Sequence, residues 1–490
     1  MYADVIINYK NMQLQKEIEI KFKTIPTYVL DIGTKLIENN FKAHLVGGCV
    51  RDILLGKVPK DYDLTTNATP DEIALIFPRS ILIGAKFGTV TILSTDKDNE
   101  TFSVEVTTYR SESDYIGGRW PSKVEFSLNL EEDLSRRDFT INAMAYSLEK
   151  DNAELIDVHG GVKDLEDKLI RAVGNPIDRF TEDGLRSFRA CRFASTLNFQ
   201  IEQNTFESIK ETLNVSRMVS MERVKVEFVR ILIESKKPSD GIELLRTTGL
   251  LEIFLPELLE GYGIEQNEYH TDDVYWHNLH CVDIAEDDVK LAALLHDIAK
   301  PRKKQGPHFY GHDLEGGEMV KILMKRLKFS NDEIKRVSNL VRWHMFYYPI
   351  IEAETENQKI EIRSEMMKNG WSDQAVRRFI KNVGGIDQIN ELFKLRIADA
   401  TCNPKSTWNP SEIQQLESRV ANVLKEDMAI KVTDLDISGK DLIALGIPQG
   451  PEIGKMLNYL LDKVEENPNL NNISSLIDLI KSSNFHNTNK

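Results

Sequence analysis

Three short segments, in fixed order, constrain this chain more than anything else in it. The first is Gly47-Gly48, which follows the apolar pair Leu45-Val46 and leads to Arg51. The second is Lys60-Asp61-Tyr62-Asp63-Leu64, and the third is Phe102-Ser103-Val104-Glu105-Val106-Thr107. Two glycines after an apolar run let the backbone approach a phosphate closely, because no Cβ stands in the way. On an extended segment residues two apart share a face, so Asp61 and Asp63 are expected to point the same way. In the third segment Ser103, Glu105 and Thr107 share a polar face, while Phe102, Val104 and Val106 share an apolar one. Three carboxylates converging from two strands, beside backbone donors, make an oxygen-rich site for Mg²⁺ and a triphosphate. Singly, Gly-Gly is a bend and Asp-x-Asp a solvated turn; the combination and its order carry the reading.

That combination resembles the nucleotidyltransferases of the DNA polymerase β superfamily. A second cluster, Arg136-Arg137-Asp138-Phe139-Thr140-Ile141-Asn142-Ala143, narrows the resemblance. Paired arginines can clamp phosphate, and an Asp with an Asn can hydrogen-bond ribose hydroxyls. The octapeptide is similar to the ribose-selecting motif of the class II tRNA CCA-adding enzymes and bacterial poly(A) polymerases. From about Ile25 through Leu251 the chain resembles that group, and more loosely beyond. The resemblance implies catalytic Asp61, Asp63 and Glu105, with Asp61 and Asp63 holding Mg²⁺. It implies nucleotide contacts from Gly47, Gly48, Arg51, Arg137, Asp138 and Asn142.

Thr181-Glu182-Asp183-Gly184-Leu185-Arg186, continuing through Arg189 and Arg192 to Ala194, reads as a helix capped by Thr181 with acids in its first turn. Asp183, Arg186 and Arg189 fall three apart and share a broad face. A carboxylate beside a guanidinium can accept from the amino group of cytosine or adenine and donate to a ring acceptor. Guanine and uracil put a carbonyl where that amino group should be. In the family resembled, Glu-Asp-x-x-Arg selects the base, which maps onto Glu182, Asp183 and Arg186; Arg189 and Arg192 would then face the triphosphate. Ser220-Met221-Glu222-Arg223 and the residues following resemble the motif that braces this helix, giving Glu222 and Arg223 a structural role. The loop Asp114-Tyr115-Ile116-Gly117-Gly118-Arg119-Trp120-Pro121 matches the family's flexible loop in its Gly-Arg-x-Pro core. Gly117 replaces the usual acid there, a departure that bears on the switch from C to A addition.

The histidines form a separate pattern. His277, His296-Asp297, His312, His344 and Asp399 occur in this order on helical segments. Consecutive residues on a helix diverge by about 100°, so His296 and Asp297 can embrace one ion from two sides. The order resembles the HD phosphohydrolase superfamily, which implies metal ligands His277, His296, Asp297 and Asp399. His312 and His344 fall where extra ligands or phosphate-binding histidines sit in that superfamily, and His280 and His308 read as bystanders. Imidazole plus carboxylate suits a second divalent metal of the Mn, Fe, Co, Ni or Zn group, without choosing among them.

At 490 residues the chain should form several domains. The expected boundaries are an N-terminal extension at 1–24, the nucleotidyltransferase head at 25–160, a base-selecting helical neck at 161–265, the HD domain at 266–403 and an RNA-binding helical tail at 404–490. The fold class is α+β: a polymerase-β-like mixed sheet with helices, then all-α regions. Ile18 to Lys23 could be a strand or an ordered tail, and the Ser/Asn-rich C-terminus is expected to fray. A net charge of −15 argues against a general polyanion-coating protein, though not against a structured RNA held by local basic patches. The four cysteines, Cys49, Cys191, Cys281 and Cys402, form no Cys-x-x-Cys pair, so no zinc ribbon or disulfide framework is proposed and a reducing, cytoplasmic setting is favoured. No signal-peptide core and no apolar run of membrane-spanning length is present.

These readings converge on template-independent addition of CCA to the 3′ end of tRNA from CTP and ATP, with pyrophosphate released, and with a further phosphohydrolase activity in the HD domain. No membrane and no protein partner is inferred. Three alternatives stand: a poly(A) polymerase, a partial enzyme adding only CC or only A, and an HD hydrolase whose head is a binding module.

Overall fold

The computed structural model describes residues 20–95, 100–116, 120–149, 153–266, 271–346, 373–403, 405, 410–425 and 432–483. The chain divides into two compact units, residues 1–256 and 257–490. The division falls ahead of the 265/266 boundary expected from sequence, and head and neck share one unit.

The first unit is built on a seven-stranded mixed sheet. Its strands are β1 (Ala43–Val46), β2 (Asp63–Thr66), β3 (Ser80–Ile81), β4 (Thr89–Thr95), β5 (Thr101–Thr108), β8 (Ala145–Ser147) and β9 (Leu155–Ile156), in the order β3-β4-β5-β2-β1-β8-β9. A separate hairpin pairs β6 (Arg110–Ile116) with β7 (Trp120–Phe126). β2 and β5 pair in parallel with Asp63 opposite Glu105, and the sheet's other ladders are antiparallel. The period-2 alternation of β5 is the reason for this placement. Val104 and Val106 are buried on one face, which leaves Glu105 and Thr107 on the other.

Asp61 lies outside the strand. β1 ends at Val46, where Gly47 turns the chain at φ 81° into the helix Gly48–Leu54, so β1 offers β2 no partner ahead of Asp63. Two further expectations concern the ends of the chain. Of the strand or ordered tail expected at Ile18 to Lys23, residues 20–22 form no strand but are ordered as a helical turn, with Phe22 stacked on Tyr146 at a centroid distance of 3.7 Å. Near the C-terminus, Ile473–Ser482 is a helix anchored by buried Leu476 and Ile480 in a cluster with Leu442 and Leu460, so apolar packing outweighs the polar composition there. The loop residues Gly117, Gly118 and Arg119, and most of the N-terminal extension, lie outside the described residues.

The remainder of the first unit is mainly helical, including Pro176–Glu182, Leu185–Leu197 and Met221–Glu234, with a short parallel pair of strands at Leu169–Ile170 and Gln200–Ile201. The second unit is mainly helical and has no named strand among its described residues. Its helices Val274–Ile284, Lys290–Leu295, His312–Arg326, Asn331–Trp343 and Ile386–Cys402 carry the histidines and acids singled out above.

Candidate functional site

In the first unit the glycine pair and the acids fall on or next to the central strands β1, β2 and β5 of the sheet. Gly47 holds a φ of 81°, in the left-handed region that favours glycine, and a Cβ there would stand 3.1 Å from Nη1 of Arg137. Arg137 is tied to Asp133, Nη2 to Oδ2 at 3.1 Å, and Arg136 takes the other carboxylate oxygen at 2.6 Å. Asp133 is fully buried and also lies 3.4 Å from the Thr65 hydroxyl, two residues along β2 from Asp63. Sequence reading assigned Asp133 no role; its spacing of three and four residues from the arginines was the available signal.

Asp63 is half-buried, while Glu105 and Asp61 are exposed. Burial, with the charge of Glu105 and to a smaller extent Asp61, raises the Asp63 carboxyl to about 6 against the opposing pull of Arg137. Asp63 therefore feels the charge of both other acids. Among the described residues, however, they form no set whose ligand atoms all lie within 4.8 Å. Two mutually repelling acids in register beside two glycines are the donor set a hard divalent ion takes, so the residues fit a divalent cation.

From Gly48 a chain of polar contacts runs into the neck helices. Arg51 is buried, donating from Nη1 to Asn142 Oδ1 at 2.7 Å and from Nε to Asp52 at 2.9 Å, with its guanidinium over Phe193. Asn142 donates to Asp138 Oδ1 at 3.1 Å, and Arg189 meets Asp138 Oδ2 at 2.7 Å. Burial would raise the Asp138 carboxyl, but Arg189 and the Asn142 bond outweigh it and hold it down at about 2. Arg51 thus supports Asn142 rather than presenting its guanidinium openly to phosphate.

The base-reading segment differs locally from expectation. Thr181 and Glu182 end the helix Pro176–Glu182, and Asp183 is extended. The next helix begins at Leu185, whose N–H donates to Asp183 Oδ1 at 3.0 Å. Asp183 is thus the capping side chain in place of Thr181, because Gly184 and the extended Asp183 interrupt the helix. Arg223 grips Asp183 through both carboxylate oxygens, at 3.1 and 2.6 Å. Arg186 is held by Glu182 at 2.6 Å and by the Arg136 carbonyl at 2.8 Å. Glu222 is exposed, so of the two bracing residues expected, Arg223 is the one that touches the reading pair. Arg192, expected toward the triphosphate, is buried, ion-paired with Glu227 and placed over Phe193. Glu227, two helical turns into its helix, is the brace that sequence reading passed over.

The second unit gathers its histidines tightly. His277 Nε2 lies 3.2 Å from His296 Nε2 and 3.1 Å from Asp399 Oδ1. Asp297 Oδ2 stands 3.3 Å from His296 and 3.5 Å from His277. His312 and His344 come within 3.3 and 3.5 Å of Asp297 Oδ1. Gly311, at φ 73°, turns the chain so that His312 can open its helix inside the cluster. His277, His296 and Asp297 are at most 2% exposed. Among the described residues, the sets of potential ligands within 4.8 Å of one another are His277–His296–Asp297, Asp297–His312–His344 and His277–Asp399–Cys402. Cys402, which the sequence did not mark, places its sulfur 3.5 Å from His277 Nδ1. His280 pairs with Asp272 at 2.7 Å and His308 stacks on Tyr310, both outside these sets.

With the geometry in place, likeness to known proteins becomes interpretable. Residues 43–171 match the "Poly A polymerase head domain" family, 198–261 the "Probable RNA and SrmB- binding site of polymerase A" and 258–403 the "HD domain". The chain is 31% identical over 449 residues to a CCA-adding enzyme of Lactococcus lactis, covering 91% of this chain and 95% of that one. It is 33% identical to a Pediococcus pentosaceus CCA-adding enzyme, covering 87% and 90%. The crystal structure of the Bacillus stearothermophilus CCA-adding enzyme in complex with CTP shares the fold, with a TM-score of 0.59 at 24% identity over 93% of this chain and 97% of that one. No described helix is long and apolar enough to cross a membrane. A nucleotidyltransferase head joined to helical domains, and likeness along nearly the whole length, place this chain in the family of CCA-adding enzymes.

Proposed function

We propose that this chain builds CCA onto the 3′ end of tRNA from CTP and ATP, with Asp61, Asp63 and Glu105 as the catalytic acids and Mg²⁺ as the ion they hold. The observation that carries this is the parallel register of β2 and β5, which sets Asp63 against Glu105 beside Gly47 and Arg137. When bound, two divalent ions supply charge neutralisation for attacking and leaving oxygens. The RNA 3′-oxygen bonds to the α-phosphorus of the nucleotide as the bond to the pyrophosphate oxygen breaks. Gly47 and Gly48 admit the triphosphate close to the backbone, and Arg137 adds positive charge there. Asp138 and Asn142, braced by Arg189 and Arg51, read the ribose. Asp183 and Arg186 read the base: the carboxylate accepts from the amino group of C or A, and the guanidinium donates to the ring. Residues 161–265 act as the base-selecting neck, and the helices beyond 404 hold tRNA through shape and phosphate contacts. Four free cysteines fit a reducing, cytoplasmic setting.

A second reading is favoured by the buried histidine cluster, which the head chemistry does not need. The HD domain, residues 266–403, is a metal-dependent phosphoesterase acting on phosphate groups of RNA ends.

The deciding assay supplies a tRNA ending at its discriminator base with CTP, ATP or both, and sequences the product ends. The expected products are CC with CTP alone and CCA with both. CC as the final product with both nucleotides would make this a partial enzyme, and long A-tails would make it a poly(A) polymerase. Release of inorganic phosphate from 3′-phosphorylated RNA ends, or opening of a terminal cyclic phosphate to a phosphomonoester, lost in Asp297→Asn, tests the hydrolase.

A further inference from the structure

We propose that His308 and Tyr310 form a stacking platform that seats the last, unpaired nucleobase of an RNA 3′ end beside the histidine cluster. This rests on the reading of the HD domain as a phosphoesterase of RNA ends. It adds which part of the RNA is recognised, and by which residues.

Residues 298–312 carry four cations, Lys300, Arg302, Lys303 and Lys304, and no acid, in a chain whose net charge is −15. The same stretch contains His308-Phe309-Tyr310. A tight turn presents these three: Gln305 and His308 exchange both backbone hydrogen bonds, at 2.8 and 3.1 Å, around Gly306 at φ 63°. Beyond the turn burial alternates. Phe309 is buried, while His308 and Tyr310 are exposed, Tyr310 to 59%. The two outer rings stack on each other with centroids 5.1 Å apart and planes 24° from parallel. Burial does not hold this pair in place; Phe309 anchors the segment, and the rings on either side of it lie in water. An exposed ring face beside positive charge suits an unpaired nucleotide, since every base has a π-face and every linkage a phosphate. Arg302 and Lys303 face Glu260 and Glu315, but Lys304 rests on the Glu265 carbonyl at 2.9 Å, an uncharged partner. Its ammonium is the one that meets the RNA backbone.

The platform is fixed to the cluster from two directions through Phe309. The Phe309 carbonyl accepts from Nδ1 of His312 at 2.7 Å. Lys300, whose Nζ lies 2.5 Å from Asp297 Oδ2, sets the same ammonium 5.6 Å from the centre of the Phe309 ring. Tyr310 is two residues from His312, so their Cα atoms stand at most about 7 Å apart. A base on the platform therefore leaves its own 3′-phosphate within one nucleotide's reach of His312. Bases inside a duplex have their faces covered by neighbours, so the platform selects single-stranded ends. Contact with a ring face rather than a base edge makes it tolerant of sequence, with purines favoured for their larger overlap.

The test compares two short single-stranded RNAs ending in a 3′-phosphate, identical except that one lacks its terminal base. The full chain is assayed for release of inorganic phosphate with Mn²⁺ or Ni²⁺ supplied; water adds to phosphorus as the bond to the ribose 3′-oxygen breaks. The base-bearing end is expected to be favoured by about fivefold to a hundredfold in kcat/KM, carried by KM. Tyr310→Ala should erase that preference and Tyr310→Trp should keep it. Equal use of the two RNAs by the parent, or a preference untouched by Tyr310→Ala, would overturn the platform and leave the hydrolase reading in place. A second measurement does not depend on turnover. The same RNA with 5-iodouridine at its 3′ end is irradiated on the full chain, and the adducts are mapped by mass spectrometry. Crosslinks at His308 or Tyr310 are expected, and crosslinks confined to other residues would sink the proposal. Crosslinks at these two residues without any phosphate release would instead remove the hydrolase reading and leave the platform as an RNA-binding site.

Discussion

The acids of the head and the histidines of the helical unit are both arranged to hold cations, yet they are built in opposite ways. In the head, Asp61 and Glu105 are exposed, Asp63 is half-buried, and the three stand too far apart to form a closed set. In the helical unit, His277, His296 and Asp297 are buried and packed donor to donor at 3.2–3.5 Å. The physical difference lies in what completes each site. Hard ions with oxygen ligands keep waters and take substrate phosphate oxygens, so an open half-site that a nucleotide finishes is sufficient. Imidazole-rich sites bind their ion through the protein itself, and their rings must be oriented beforehand by bonds on the far nitrogen.

The sharpest way to break this comparison is to disable each site alone. Asp63→Ala is expected to lower nucleotide incorporation by at least about a thousandfold, comparable to losing roughly 4 kcal/mol of transition-state stabilisation. It should leave the metal content of the histidine cluster unchanged by elemental analysis. Asp297→Asn should do the reverse, emptying the cluster and sparing incorporation. A single substitution that disables both would end the view that the sites are independent.

Glu227→Ala removes one partner of a buried ion pair and strands Arg192, which should cost about 3–5 kcal/mol in denaturant unfolding of the first unit. A loss below 1 kcal/mol would mean that Arg192 finds solvent or another partner, placing it nearer to nucleotide than its burial indicates.

A buried titratable group of the head sheet is His44, whose ring nitrogen lies 2.8 Å from the Tyr109 hydroxyl. Burial, then the charge of Lys42, lowers it to about 4. The unfolded chain takes up this proton near the ordinary value of 6.5, whereas the folded chain resists until about 4. The stability it contributes is therefore full above pH 6.5 and is lost as pH falls from 6.5 toward 4, by up to about 3 kcal/mol. His44→Gln should flatten the stability profile within that window; an unchanged slope would assign the acid sensitivity to other groups.

The smallest expected effect concerns base choice. Arg186→Ala should reduce discrimination between CTP and UTP by about 1–3 kcal/mol, read as the ratio of kcat/KM values, with little change in ion affinity. Retained discrimination would shift the reading role to Asp183 and its partner Arg223.

How far each site was legible depends on the range of the interactions that make it. Alternation along residues 102–107 was enough to set Glu105 opposite the apolar face, because side-chain direction in a strand is a local property. The start of β2 was not legible, because it depends on pairing with β1 and β5, which lie elsewhere in the chain. The same division explains Thr181 and Asp183: capping preference named a plausible residue, but Gly184 interrupts the helix and hands the cap to Asp183. Asp133 was readable from helical spacing to Arg136 and Arg137, whereas its contact with Thr65, 68 residues earlier in the chain, was not. Arg192 looked like its neighbours Arg186 and Arg189 until the helix Met221–Glu234 brought Glu227 against it.

By itself, the sequence determined the chemical inventory of this protein: which acids, glycines, arginines and histidines exist, in what order, and which faces of strands and helices they occupy. Those are consequences of composition and of the two backbone periods. Tertiary structure alone decided which charges are spent on one another and which remain open. That choice turns on contacts between residues far apart in the chain, such as Asp297 with His344 or Asp183 with Arg223, and on a burial that only packed elements create.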